Sequence, residues 1–417
     1  MKIISLSVKN YKSLFDFKIT GFDDINFIQG CNNSGKSNFL YLLNLIFQRK
    51  SIAIDTDYRD DGGILRKRRE IQEQPFWSGM IYDMPFLFSN DDRKKPIEFE
   101  VGVSLDAKEI FNIEALKESK YIGKEPKILI EIQGEIKSTN QFDSSFKLKE
   151  VKLKGHKIYS DSGGAPEFFR EPENSMLRDS ESAFSETMSA LNDCIIFIDS
   201  DRAFKNEAFQ NASSNTLFSA SKFKSWLHNI SLDSDAYDKY QGLIKFLDSF
   251  KISKDLSTTV LKDNLKSFPF TNTKIDFSRF KDEIEVMLTN DLGRFPLKNY
   301  GTGVQQIFYI LSRIFDSNGK ILLIEELELN LSQEYQDLLI DNFKAFIEKS
   351  QINQVFFTSH SDYLLRSDFV VFQIDIDGKG QSHMKKSEYD EATRQFRRSL
   401  MPYVQVAEKA ARKKEGL

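Results

Sequence analysis

The stretch Phe27-Ile28-Gln29-Gly30-Cys31-Asn32-Asn33-Ser34-Gly35-Lys36-Ser37-Asn38 constrains this chain more than any other. Gly30, Gly35, Lys36 and Ser37 stand at the spacing G-x-x-x-x-G-K-[ST]. Glycines at those two places let the backbone turn tightly, so that successive N–H groups face phosphate oxygens. A helix opening at the lysine adds the positive end of its dipole. The flanks suit such a loop, with a short apolar run over 24–28 for a strand and a helix-length one over 39–47. The expected ligands are a nucleoside triphosphate, ATP, and Mg²⁺. Gly30, Asn32, Asn33, Ser34, Gly35, Lys36, Ser37 and Asn38 would cradle the phosphates. Lys36 would reach the β- and γ-phosphates, and the Ser37 hydroxyl would hold the metal.

A triphosphate site that does chemistry needs an acid and a base. The segment Lys320-Ile321-Leu322-Leu323-Ile324-Glu325-Glu326 reads as a buried parallel-type strand with two carboxylates at its end, where ligands sit in open α/β sheets. Glu325 is expected to hold Mg²⁺, through water or together with Ser37, and Glu326 to act as general base toward the attacking water. A further apolar strand, Gln354-Val355-Phe356-Phe357-Thr358-Ser359, ends at His360, which is placed to contact the γ-phosphate or orient the water. His156, His228 and His383 carry no such context.

The segment 297–306 contains Gly301-Thr302-Gly303 and leads into a helix over 307–315, a second glycine-flanked helix start suited to an anion. One chain does not need two. If two copies pair head to tail, Gly301, Thr302 and Gly303 of each would close over the nucleotide of the other, and ATP would drive a homodimer or higher homo-oligomer together.

The rest of the chain bounds the architecture: an α/β P-loop fold, a mixed sheet with an antiparallel β subdomain and a helical insertion. Alternating apolar and polar residues over 97–103, 127–136 and 146–153 predict an antiparallel sheet with one wet face. An N-terminal lobe over 1–202 carries the loop, a helical insertion over 203–284 carries a partner or dimer surface or else an ordinary covering layer, and a second lobe spans 285–386. Residues 387–417 read as a basic helix. Residues 160–185, rich in Ser, Gly, Pro and Glu, read as a long mobile loop. The cluster Arg66-Lys67-Arg68-Arg69 reads most simply as a solvated helix face, with an anion or nucleic-acid contact as the other reading. With 58 Lys and Arg against 62 Asp and Glu, global charge does not advertise nucleic-acid binding, so a DNA contact would need a local patch. The 37 phenylalanines are expected in the core. No apolar run approaches membrane-spanning length and no signal peptide opens the chain, so a cytoplasmic location is expected; two cysteines, Cys31 and Cys194, suit a reducing compartment.

The order of phosphate loop, Gly301 to Gln306 turn, strand with Glu325-Glu326 and strand with His360 resembles the ABC-type ATPase heads of the RecF, SMC and OLD (overcoming lysogenization defect) group, the OLD-like members above all. Residues 291–306 look like their signature, and Ile198-Asp199-Ser200-Asp201-Arg202 sits where they often carry a strand ending in arginine. The match covers 1 to about 55 and 285 to about 375. Two departures stand out. Glu325-Glu326-Leu327-Glu328 replaces the usual Glu-Glu-Pro-Glu, and the residues after His360 are too few for the Toprim nuclease that OLD proteins append. The resemblance therefore implies a stand-alone ATPase subunit with a separately encoded effector, a toxin or a Toprim- or HNH-type nuclease. That is the arrangement of anti-phage systems of PARIS type, or next Septu type, which answer a phage trigger protein. A DNA-repair ATPase like RecF is the alternative.

Overall fold

The computed structural model describes residues 1–47, 50–59, 65–74, 78–81, 87–89, 92–106, 127–139, 144–161, 166–168, 184–185, 187–188, 191, 194–202, 223–234, 236–248, 274–280, 283–290, 293–317, 319–361, 364–366 and 368–387. The chain divides into two compact units, one made of Met1–Ile195 with Leu365–Leu417, the other of Ile196–Leu364. The basic segment 388–417 lies outside the described residues.

The first unit is built on alternation. In β1 (Lys2–Tyr11) and β2 (Leu14–Thr20), Leu6 faces Ile19 and Val8 faces Phe17 across an antiparallel pair, and all four are buried. β3 (Ile25–Gln29) is buried along its whole length and runs into the phosphate loop and then α1 (Lys36–Phe47). Phe39 of α1 lies 6.1 Å from the Phe17 ring and 5.8 Å from the Phe22 ring, so phenylalanine is core material here, each ring worth about 1.5–3 kcal/mol on burial. β4 (Lys50–Arg59) and β5 (Leu65–Gln74) follow as an antiparallel hairpin. The Arg66 to Arg69 cluster is therefore on a strand, not a helix. In that register Asp55 stands opposite Arg69 and Asp57 opposite Lys67.

β6 (Ser78–Ile81), β7 (Ile97–Asp106), β8 (Lys127–Ser138), β9 (Ser144–Leu153), β10 (His156–Ser160) and β11 (Glu167–Phe168) complete the large sheet. Its order is β11-β10-β9-β8-β7-β1-β2, with β6 also on β9. The three alternating runs are neighbours, as expected, with Val101, Val103, Ile130 and Ile132 fully buried. The other face is polar: Glu98 and Glu100 are exposed, and Lys149 and Lys137 both bind the buried Glu135, at 2.8 and 2.7 Å. The segment read as a mobile loop is partly built in, because β11 pairs with β10 and the Phe184 ring stacks on Tyr159 at 4.5 Å.

The second unit begins with β12 (Ile195–Ile198). The helical spacing becomes α2 (Phe223–Leu232) and α3 (Tyr237–Asp248). Their apolar residues Phe223, Trp226, Leu227, Ile230, Tyr240, Leu243 and Leu247 are buried within the chain, so that stripe is a covering layer and a partner surface has to come from other residues. The insertion ends in strand, β13 (Lys274–Phe280) and β14 (Glu283–Asn290), which with β15 (Gly293–Pro296) form a three-stranded antiparallel sheet. Then come α4 (Thr302–Phe315), β16 (Lys320–Ile324), α5 (Gln333–Glu348) and β17 (Ile352–Ser359). β16 lies between β12 and β17 and runs parallel to β17, with Ile321 to Ile324 fully buried. The chain returns to the first unit as β18 (Val370–Ile376), parallel to β3, and β19 (Ser382–Ser387), antiparallel to β18.

Candidate functional site

The phosphate loop leaves β3 at Gly30 and re-enters regular structure at Lys36. Its geometry requires its residues. A Cβ on Gly30 would stand 2.2 Å from the Ile374 carbonyl oxygen, and one on Gly35, at φ +104°, 2.3 Å from Ser382 Oγ. Asn33 takes φ +63°, a left-handed turn that asparagine tolerates better than most residues. Ser34 N–H donates to Cys31 O at 3.2 Å, and Phe39 N–H to Gly35 O at 3.0 Å, the first turn of α1. Cys31, Asn32 and Asn33 are exposed, Ser37 and Asn38 half-buried, and Ser34 and Lys36 buried. Lys36 Nζ donates to Gly30 O and Cys31 O, both at 2.8 Å, so the ammonium spans the loop from its last residue to its first two.

Two serines hold the loop from outside, and neither carries a signal in the sequence. Ser382 at the start of β19 donates through Oγ to Ser34 O at 2.6 Å and through its N–H to Ser13 O at 2.8 Å. Asn38 Nδ2 donates to Ser13 Oγ at 2.8 Å.

In the second unit the acidic pair sits just past β16, as read. Glu325 is 5% exposed; its N–H donates to Ile198 O at 2.9 Å and its Oε2 accepts from Ser200 N–H at 3.2 Å. Glu326 is in the left-handed region, φ +45°, uncommon for a residue with a side chain. Its N–H donates to Thr358 Oγ1 at 2.9 Å, while Leu327 N–H reaches Thr358 O at 3.0 Å, so the ends of β16 and β17 are tied together. His360 Nε2 lies 3.7 Å from Glu326 Oε1, and its backbone N–H donates to Glu328 Oε1 at 2.7 Å. His360 and Glu326 thus face one another past the ends of β17 and β16. His228 packs edge-on against Phe277 and His383 meets Asp377, bland roles both.

Arg202 is the residue whose weight the sequence understates. It is 1% exposed, donating through Nε to Asp199 O at 2.8 Å and through Nη2 to Glu326 O at 3.0 Å and to Glu325 O. Burial pulls its pKa down to about 10 against the opposing charges of Asp199, Glu328 and Glu325. Burial, then the charges of Asp201 and Glu325, holds the Asp199 carboxyl above its ordinary value.

Helix α4 opens one turn earlier than the sequence suggests, at Thr302, because Gly301 already caps it: Val304 N–H donates to Gly301 O at 3.0 Å. No side chain caps this end, and Gly301 and Thr302 are exposed. A Cβ on Gly303 would approach Asn330 O to 2.9 Å, so α4 lies close against the chain just after the acidic pair; one on Gly301 would meet nothing within 4 Å.

For Mg²⁺ the donors expected are the Ser37 hydroxyl and the Glu325 carboxylate. They are hard oxygen ligands, and among the described residues no group of three or more His, Cys, Asp or Glu is clustered to hold a metal. Cys31 and Cys194 are free thiols, one exposed and one buried. Among the described residues no helix is long and apolar enough to cross a membrane.

Residues 1–365 match the AAA ATPase domain family. A Helicobacter pylori (strain ATCC 700392 / 26695) protein named ATP/GTP phosphatase is 25% identical over 365 residues, 86% of this chain and 85% of that one. Among solved structures, an SMC head bound to the C-winged helix domain of ScpA aligns with a TM-score of 0.48 at 12% identity, covering 94% of this chain and all (100%) of that one. The SMC head domain from Thermotoga maritima aligns at 0.41 with 10% identity, covering 93% and 100% of the two chains. An SMC head from Pyrococcus furiosus, bound to the C-terminal domain of ScpA, aligns at 0.45 with 10% identity, covering 95% and 98%. Because the family match runs without a break from β1 past His360, and so takes in both the phosphate loop and the acidic end of β16, the chain belongs to the AAA ATPase domain family and is an ATPase.

Proposed function

We propose that this chain is an ABC-type ATPase head that uses ATP to pair with a second copy of itself and, through that pairing, holds and then releases or activates a separate effector protein. The observation that carries the pairing is the exposed start of α4 at Gly301-Thr302, which no side chain caps, in a chain that already has a complete phosphate loop. In this reading Gly30 to Asn38 bind the triphosphate of their own chain, with Lys36 on the β- and γ-phosphates. Ser37 and Glu325 hold Mg²⁺, which neutralises phosphate charge when bound. Glu326 takes a proton from the attacking water, His360 orients that water or contacts the γ-phosphate, and Gly301 to Gly303 of the second copy close the site. GTP is a second expected substrate, in line with the name of the Helicobacter pylori relative. The resemblance to OLD-like ATPases supports the effector, a toxin or nuclease subunit of a PARIS- or Septu-type defence system that responds to a phage protein.

The test of pairing uses Glu326→Gln, which traps bound ATP. Light scattering with ATP and Mg²⁺ should show the mass double, and Thr302→Glu in the same background should abolish the doubling while the single copy still binds ATP through its own phosphate loop. An acidic residue at a helix start is favourable to the helix and repels only an arriving phosphate. Doubling that survives Thr302→Glu would sink the composite site. The test of the effector is co-expression of Glu326→Gln with its neighbouring gene: a stoichiometric protein partner supports the holder reading, and DNA in its place supports the repair reading.

A further inference from the structure

We propose that Arg202 is a positioning residue for hydrolysis, holding Glu326 in the backbone conformation that presents its carboxylate to the attacking water. The proposal rests on the reading of Glu326 as general base. Glu326 occupies a left-handed conformation, φ +45°, that a residue with a side chain adopts only when its surroundings impose it. Two neighbours impose it. Thr358 Oγ1 takes the Glu326 N–H at 2.9 Å, and Arg202 Nη2 reaches the Glu326 carbonyl at 3.0 Å and the Glu325 carbonyl beside it. One nitrogen, Nη2, thus holds both peptide oxygens of the acidic pair while Nε stays on the Asp199 carbonyl, a planar two-nitrogen arrangement that a lysine ammonium cannot reproduce.

The placement is costly to maintain, which argues for more than packing. Arg202 is 1% exposed, and its Nη1 has no hydrogen-bond partner among the described residues. A buried cation with one arm unsatisfied is expensive unless the arms that are satisfied matter. Arg202 is itself aimed by the Asp199 carbonyl, which accepts from Nε at 2.8 Å. It also feels the charges of Asp199, Glu328 and Glu325, and the Tyr309 hydroxyl on α4. Because α4 also lies against Asn330 O at Gly303, the helix start expected to meet a second nucleotide touches the loop following Glu326 within the same chain. Arg202 therefore stands where movement of α4 would be passed to the general base.

The experiment measures kcat, KM and ATP affinity for Arg202→Lys and Arg202→Ala in the full chain, each alone and combined with Glu326→Gln. Losing a residue that orients a catalytic group costs about 10–100-fold in activity, so kcat should fall by that factor with ATP affinity held within about two-fold. In the Glu326→Gln background the same substitutions should cost nothing further, since there is no base left to position. Millimolar guanidinium should restore part of the Arg202→Ala turnover. Unchanged kcat, a loss that adds fully to Glu326→Gln, or variants that lose ATP affinity and cooperative melting together would each overturn the proposal, the last by making Arg202 a core residue. Wild-type turnover indifferent to Glu326→Gln would instead overturn the reading beneath it.

Discussion

The phosphate loop and the acidic end of β16 are built on opposite plans. The loop is a local object: its turn, its two required glycines and its lysine lie within 30–36 and the helix that follows runs on to Phe47, and Lys36 closes on carbonyls five and six positions back. The acidic end is assembled from afar, with Glu326 held by Thr358 on one side and by Arg202, 124 residues upstream, on the other. A local motif survives in sequence as a spacing, whereas a motif held by remote partners survives only as two carboxylates after an apolar run.

The largest effect expected separates the plans at once. Lys36→Ala should abolish measurable ATP binding, because it removes the ammonium that is bonded into the loop; retained affinity in a calorimetric titration would move the nucleotide elsewhere. Glu326→Gln should keep ATP affinity and slow turnover ~10²–10⁴-fold in a phosphate-release assay, and equal turnover would place the base on another residue. Gly35→Ala forces φ +104° on a side chain with 2.3 Å of room, at a cost of about 1–3 kcal/mol, read as a lower melting temperature and weaker ATP binding. Ser382→Ala removes the bond to Ser34 O and should weaken ATP binding by about 1 kcal/mol, several-fold in Kd; no change would mean that the loop keeps its shape without outside help.

The smallest effect concerns Asp199. Its carboxyl is held above its ordinary value of 3.8, so the folded chain binds that proton more readily than the unfolded chain does. The stability this contributes is complete below the ordinary value and is lost as pH rises through the raised one. Asp199→Asn cannot lose it, and thermal melts should show the variant gaining on wild type between pH 4 and pH 7. A constant difference across that range would mean that folding does not hold this carboxyl above its ordinary value.

What the sequence made legible follows the same division. The loop, its flanking strand and helix, the antiparallel runs of β7, β8 and β9, and the strands ending at Glu326 and His360 all announce themselves through spacing or alternation. The hairpin β4–β5 did not, because a run of four basic residues hides the period, and only the partner strand, with Asp55 and Asp57 at matching steps, reveals the ribbon. Arg202 was visible as a charged strand end but not as a buried clamp, since burial of a cation depends on acceptors that arrive much later in the chain. Ser13 and Ser382 were invisible, being small polar residues whose only distinction is what they touch.

The bond from Ser382 to Ser34 spans 348 residues, and the whole second unit is made between its two ends. At ribosomal speeds of roughly 5–20 residues per second, the loop emerges on the order of tens of seconds before the serine that fixes it. During that interval the β3 strand also lacks β18, its parallel neighbour in the finished unit. The nascent chain therefore carries a recognisable nucleotide motif well before it has a finished nucleotide site, and a fragment ending ahead of β18 should contain every residue of the phosphate loop yet bind ATP poorly.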